Sequence, residues 1–146
     1  CLLSRGLGDV YKRQGLDSNS HSGSLDIFLV KYNSSGTKQW TRQLGFSSDD
    51  RGYGVAVDSS DNIYVTGITF LNPVYNFILV KYNSSGTKQW TKILYTSETD
   101  RGYGVTVDSS NNIYVTGETE GGLDGNTNSG GYDIFLVRYN SDGVLQ

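Results

Sequence analysis

The chain has 146 residues, a formal net charge of −3 and 36% hydrophobic residues, enough for one ordinary domain and too short for two well-filled ones. Ala occurs once, Glu three times and Met never, while Gly reaches 19, Ser 18, Thr and Val 12 each, and Asn and Tyr 11 each; helix formers are scarce and strand and turn formers abound, which excludes an all-α protein. No run approaches the ~20 apolar residues of a membrane-spanning helix, and no basic cluster marks a nucleic-acid partner.

Residues 1–14, CLLSRGLGDVYKRQ, resemble nothing later in the chain and carry its single cysteine, Cys1, which has no internal disulfide partner. Residues 9–14 can be encoded as GAT GTG TAT AAG AGA CAG, which resembles the transposase mosaic-end adapter of sequencing libraries. We therefore expect residues 1–14 to be a non-native tail that contributes little to the core. Residues 15–146 are the repeat fragment proper.

The first strand signal, residues 27–32, alternates Phe28, Val30 and Tyr32 with Ile27 and Leu29. Both faces are apolar, as in a sheet sandwiched between neighbours. An Asn-Ser-Ser-Gly turn at 33–36 leads to a second strand at 37–44, polar on the Thr37, Gln39, Thr41 and Gln43 side, with Trp40 and Leu44 on the other; we read it as outer and half-exposed. The third strand, 53–57, sits in a run of small residues (Gly52, Gly54, Ala56), which suits the crowded inner edge beside a central channel. An Asp-Ser-Ser-Asp turn at 58–61 joins it to a fourth strand at 62–66. From inner to outer edge these are strands A (53–57), B (62–66), C (27–32) and D (37–44). C recurs at 77–82 and D at 87–95.

Residues 29–67 align with 79–117 without a gap, with 31 of 39 positions identical. Further copies start near Asp26, Asn76 and Asp133, giving a period of about 50–57 residues. Four antiparallel strands in about 40–50 residues is the arithmetic of a β-propeller blade; a β-helix would need shorter and more uniform coils. The expected fold is all-β: a β-propeller fragment of about two and a half four-stranded antiparallel blades, with ten strands or nearly so and no helix longer than a turn. The chain reads as a window cut from a longer array. At the broken ends, Phe28, Val30, Phe135 and Val137 are the expected exposed apolar residues, with self-association as the consequence.

The strings D-x-F-L-V-K-Y-N-S-S-G-T-K-Q-W-T at 26–41, G-Y-G-V-A-V-D-S-S at 52–60 and N-I-Y-V-T-G-x-T at 62–69 closely resemble the SBBP repeat, a β-propeller-related repeat of bacterial proteins. The resemblance extends over residues 15–146. It implies secreted or surface-attached repeat arrays and brings no catalytic residues with it. One departure stands out: the connector from Gly67 to Asn76 spans 9 positions, against 16 from Gly117 to Asp133, and holds Phe70, Leu71, Asn72, Pro73, Val74 and Tyr75 in place of a polar loop.

Asp124, Asn126 and Asn128 place oxygen-bearing side chains at alternate positions, as calcium loops do. Against this, Ser129 displaces the expected glycine and no bidentate Glu follows; an Asx-turn-rich connector is the other reading. Asp17, Asn19 and His21 form the parallel segment. The string around Trp40 resembles the tryptophan motif of quinoprotein propellers, yet Trp90 repeats it, which favours a structural role. His21 is the only histidine, so no Ser-His-Asp or Cys-His set can form. Asn33 and Asn83 satisfy N-x-S within tight turns, and no glycan is assigned.

The expected function is a non-catalytic binding, adhesion or spacer scaffold, extracellular or on a bacterial cell surface. The alternatives are a fragment of a quinoprotein-like or hydrolytic propeller enzyme, its active residues outside this window, and a purely structural stalk. Expected partners are an unidentified protein or carbohydrate and the remaining blades; no cofactor is expected beyond calcium. Copies differ most in the B–C and D–A connections, the expected ligand face: residues 47–51, 70–75, 97–101 and 120–132, with Asp49, Asp50, Arg51, Tyr75, Asp100, Arg101 and Asp124 as candidates, the other reading being that Asp50 caps its turn and Arg51 points to solvent. Their acidity favours a cationic or calcium-bridged partner.

Overall fold

The computed structural model describes residues 16–46 and 48–146. After a 3-10 turn at Leu16–Ser18, the strands in chain order are β1 (Ile27–Tyr32), β2 (Lys38–Leu44), β3 (Asp50–Val57), β4 (Ile63–Leu71), β5 (Val74–Tyr82), β6 (Lys88–Leu94), β7 (Asp100–Val107), β8 (Ile113–Thr119) and β9 (Asp133–Tyr139). They form three antiparallel sheets, β1-β2, β3-β4-β5-β6 and β7-β8-β9. The middle sheet is a complete A-B-C-D blade; its neighbours hold strands C and D of one blade and A, B and C of another. Nine strands are thus present among the described residues. Beyond β9, Leu145 makes a lone bridge to Tyr139 where strand D would begin. The expectation for residues 1–14 lies outside the described residues.

The middle blade is buried on both faces, as the apolar alternation of strand C requires. Ile63, Val65, Ile78, Val80 and Tyr82 pack against Ile27 and Leu29 of the preceding sheet. Tyr64, Phe77 and Leu79 pack against Ile113, Val115, Phe135 and Tyr139 of the following one. The small residues of strand A let the blades come together at their inner edges. A methyl group on Gly102 would lie 2.4 Å from the Phe77 ring, and one on Gly54 would lie 3.0 Å from the Tyr103 carbonyl oxygen of the neighbouring blade.

At the outer edge each blade grips the C–D turn of the next. Trp40 Nε1 and Lys31 Nζ donate to the Ser84 carbonyl at 3.2 and 3.1 Å. Arg42 Nε donates to the Gly86 carbonyl at 2.6 Å. One blade on, Lys81 Nζ donates to the Ser141 carbonyl at 2.9 Å. The gripped turns are rigid: Asn83 Oδ1 accepts from the backbone N–H groups of Ser85 and Thr87, and Gly86 supplies the positive φ of 77° that closes the turn. Trp40 is therefore an inter-blade anchor, in keeping with a structural role.

Two expectations are corrected. The connector at 70–75 is not a loop: β4 and β5 continue through it as a hairpin, with Phe70 opposite Tyr75 and their rings 5.0 Å apart. Only Asn72 and Pro73, joined by a cis peptide bond, are left to turn. Aromatic residues at both ends favour extended pairing over a loop. The exposed apolar face of β9 is also the opposite one: Phe135 is buried, whereas Ile134 and Leu136 are 88% and 70% exposed. Val30 is buried too, and Phe28 and Val137 are only partly exposed.

Candidate functional site

The A–B and C–D turns lie at one end of the strands, and the B–C and D–A connections at the other. At the second end, backbone bonds tie the connectors together: Phe70 N–H to the Asp49 carbonyl at 3.0 Å and Glu120 N–H to the Thr99 carbonyl at 2.9 Å. The copy-to-copy differences within residues 45–49 and 95–99 and in the B–C connectors therefore cluster on one end of a shared frame.

Asp50 and Asp100, two of the expected ligand residues, are buried rather than presented. Each closes the D–A corner that leads into strand A. Asp50 Oδ2 accepts from Phe46 N–H at 2.7 Å. Asp100 accepts from the Thr96 hydroxyl at 2.8 Å and the Thr119 hydroxyl at 2.5 Å. Burial pushes the Asp50 carboxyl up, partly offset by the Thr69 hydroxyl and the Phe46 N–H. The reason is local: in the middle blade, Asp50 stands opposite Thr69, itself opposite Asn76, forming a polar row that seals the end of the core. Ser47, also within the expected face, lies outside the described residues.

Asp124 and Asn126 belong to a turn. Asp124 takes φ of 50°, and Asn126 donates both its N–H (2.9 Å) and its side-chain amide (3.0 Å) to the Leu123 carbonyl. Asn128 donates to the carbonyls of Thr119 (3.2 Å) and Gly131 (3.0 Å), and its Oδ1 accepts from Gly130 N–H at 2.6 Å. The Asn126 and Asn128 side chains thus bond the backbone of the connector and of the end of β8. Among the described residues, no three His, Cys, Asp or Glu side chains gather in one place, so a calcium ion here would rest on Asp124 together with asparagine and carbonyl oxygens.

Arg51, Tyr75 and Arg101 do form part of a surface, together with residues the sequence reading passed over. Arg51 Nη2 pairs with Asp49 Oδ2 at 3.2 Å. Arg101 Nη1 pairs with Glu118 Oε1 at 2.7 Å, Tyr103 donates its hydroxyl to the same oxygen at 2.8 Å, and the Arg101 guanidinium lies 5.0 Å above the Tyr132 ring. Burial lowers the Arg101 pKa, but Glu118 and the tyrosines around it outweigh that and hold it above its ordinary value. Tyr53 and Tyr103 then join the two blades, with ring centroids 5.4 Å apart. They are 39% and 43% exposed. Both are the extra residue of a β-bulge, at Gly52/Gly54 and Gly102/Gly104, a feature that re-aims a side chain. The recurrence of Arg-Gly-Tyr-Gly at a fixed period was the available signal. Within this face Asp50 and Asp100 are buried and Asp49 and Glu118 are matched by arginines, while Glu98, Glu120 and Asp124 form no ion pair among the described residues.

Sequence comparison supports the architecture. Residues 39–69 and 89–124 match the SBBP family, described as a β-propeller repeat, and residues 108–145 match a β-propeller domain of unknown function (DUF5122). Both matches are to β-propeller sequences, and together they cover residues 39–69 and 89–145. The match at 39–69 begins in β2 and ends in β4, so the family unit runs D-A-B across the seam between two blades. In this propeller, that seam is where Trp40 grips the next C–D turn. No curated protein matches the chain.

Proposed function

We propose that this propeller is a non-catalytic binding scaffold of a bacterial secreted or cell-surface protein, with ligand contact at the end that carries the B–C and D–A connections. The observation that carries this reading is the joined row of Tyr53, Tyr103, Arg51 and Arg101, half-exposed and repeated from blade to blade. Large aromatic and arginine side chains are the residues that dominate interface energetics. The repetition of each element supports a non-catalytic role, since a catalytic centre needs one unique constellation. The likeness to repeats of bacterial surface proteins supports the location.

The test pans the 146-residue chain against a random-peptide phage library and a glycan array. Binders should lose at least about tenfold in affinity on a double variant, Arg51→Ala with Arg101→Ala, and keep it on Ser34→Lys with Ser84→Lys in the C–D turns. The opposite pattern would place the ligand at the other end and overturn the reading.

A further inference from the structure

Resting on the binding-scaffold reading and narrowing it, we propose that the tyrosine–arginine row is a subsite for an uncharged glycan chain. The row runs Tyr75, Arg51, Tyr53, Tyr103, Arg101, Tyr132, and Arg51 and Arg101 are each matched by a carboxylate, Asp49 at 3.2 Å and Glu118 at 2.7 Å. A polyanion would have to displace those carboxylates, and a polycation would have to displace the arginines. A neutral ligand rich in hydroxyls needs to do neither. Each guanidinium carries five N–H donors in a fixed fork, and the bonds from Arg101 and Tyr103 both converge on Oε1 of Glu118. Sugar hydroxyls, which donate and accept, can bond to the remaining donors and to the other carboxylate oxygen.

The tyrosines supply the second half of the recognition. The exposed ring surfaces of Tyr53 and Tyr103 can stack on the C–H faces of a pyranose, and the Tyr103 hydroxyl, which donates to Glu118 Oε1, can still accept from a sugar hydroxyl. A bulge presents Tyr53 and Tyr103 and interrupts the ladder at that point, which disfavours a peptide adding there as a regular strand. The Arg-Gly-Tyr unit of the row repeats at an interval of 50 residues, 51–53 and 101–103, so a ligand made of repeating units can meet successive blades through the same side chains.

The experiment titrates the 146-residue chain with cellohexaose, xylohexaose, maltohexaose and chitohexaose, followed by tyrosine fluorescence and amide chemical shifts. Polygalacturonate serves as the polyanion. At least one neutral oligosaccharide should saturate, with shifts at Arg51, Tyr53, Arg101 and Tyr103. Tyr53→Ala and Tyr103→Ala should each weaken it by about tenfold, while Tyr95→Ala, an exposed tyrosine outside the row, leaves it unchanged. Should an alanine variant lose its far-UV spectrum, Arg101→Lys, which keeps the charge but not the fork, takes its place and should weaken binding similarly. Saturation by polygalacturonate alone, saturation indifferent to these variants, or no saturation by any neutral oligosaccharide would overturn the proposal. If oligosaccharides fail while panned peptides bind and are lost on Tyr103→Ala, the glycan assignment falls and the scaffold reading stands. If neither class binds, both fall.

Discussion

Strand C occurs in β5 and β9 with nearly the same residues and opposite surroundings. Phe77 and Leu79 of β5 are fully buried, yet Ile134 and Leu136, in the same register places of β9, are 88% and 70% exposed. The first pair is covered by the inner strands of the following blade; no described residue covers the second pair to that extent. In this fold a strand's two apolar faces therefore report stacking, and burial belongs to the seam between blades rather than to the strand.

The largest expected effect exploits that contrast. Leu79→Ala should cost about 2–5 kcal/mol, the usual range for a filled core site, and Leu136→Ala should stay within about 0.5 kcal/mol. Urea unfolding midpoints of the two variants measure the difference. Equal costs would show that the β9 face is covered in solution, and sedimentation at several concentrations would then identify self-association as the cover.

The contrast also explains what was legible in the sequence. Strand C at 27–32 was readable to the residue, because alternation on both faces followed by Asn-Ser-Ser-Gly leaves no other pairing. Which face stays open was not readable. Phe135 and Ile134 are equally apolar, and only the position of the neighbouring blade separates them. Asp50 is legible as a turn cap and, with Asp100, as a ligand candidate; only the first use fits their burial, which depends on Phe46, Thr96 and Thr119, brought in by the D–A corner and by strand B. Tyr53 and Tyr103 stand outside the candidate set because a bulge leaves no mark in a pattern of period 2. Asn72-Pro73 was read as a loop, whereas Phe70 and Tyr75 pair across it.

A second comparison sets the A–B turn of the middle blade against its D–A corner. Asp58 accepts from Ser60 N–H, Asn62 N–H, the Asn62 amide and the Tyr64 hydroxyl, at 2.8 to 2.9 Å. Desolvation raises its pKa, but these bonds win and hold it below the usual carboxylate range. Its contribution is therefore present above the unfolded value and lost as pH falls through the folded one. Asp50 has the reverse sign: its raised pKa makes the buried charge a cost that sets in as pH rises from the unfolded value through the folded one. Asp58→Ala should cost about 2–3 kcal/mol at neutral pH. Thermal melts at pH 7 and pH 3 should show the deficit of Asp58→Asn shrinking in acid. Relative to wild type, Asp50→Asn should fare better at pH 7 than at pH 3. Two parallel pH profiles would contradict the opposed signs.

The two tryptophan anchors sharpen the comparison of seams. Trp40 Nε1 donates to the Ser84 carbonyl at 3.2 Å, whereas the buried Trp90 Nε1 meets no acceptor among the described residues. Replacement by Phe removes a hydrogen bond at the first seam and an unpaired buried donor at the second. Trp40→Phe should cost about 1 kcal/mol more than Trp90→Phe, read from the same urea midpoints. A larger cost at Trp90 would mean that its indole finds a partner in solution.

The smallest expected effect separates the turn reading of Asp124 and Asn126 from the calcium reading. The connectors before β1 and β9 share one geometry that the middle blade, with its hairpin, lacks. Asp17 and Asp124 both have φ of 50°, and the Asn19 and Asn126 amides donate to the Leu16 and Leu123 carbonyls at 2.6 and 3.0 Å. Both connectors therefore use Asp to enter the left-handed region and Asn to close the turn by a side-chain bond. Asn126→Ala should lower stability by about 0.5–1 kcal/mol, the worth of one such bond near the surface. Asp124→Gly should be neutral or slightly stabilising, because glycine takes that φ without strain. Millimolar calcium should leave the melting temperature of the wild-type chain unchanged. A rise that grows with calcium concentration, as ligand linkage demands, and that disappears in Asp124→Asn would establish the calcium reading instead.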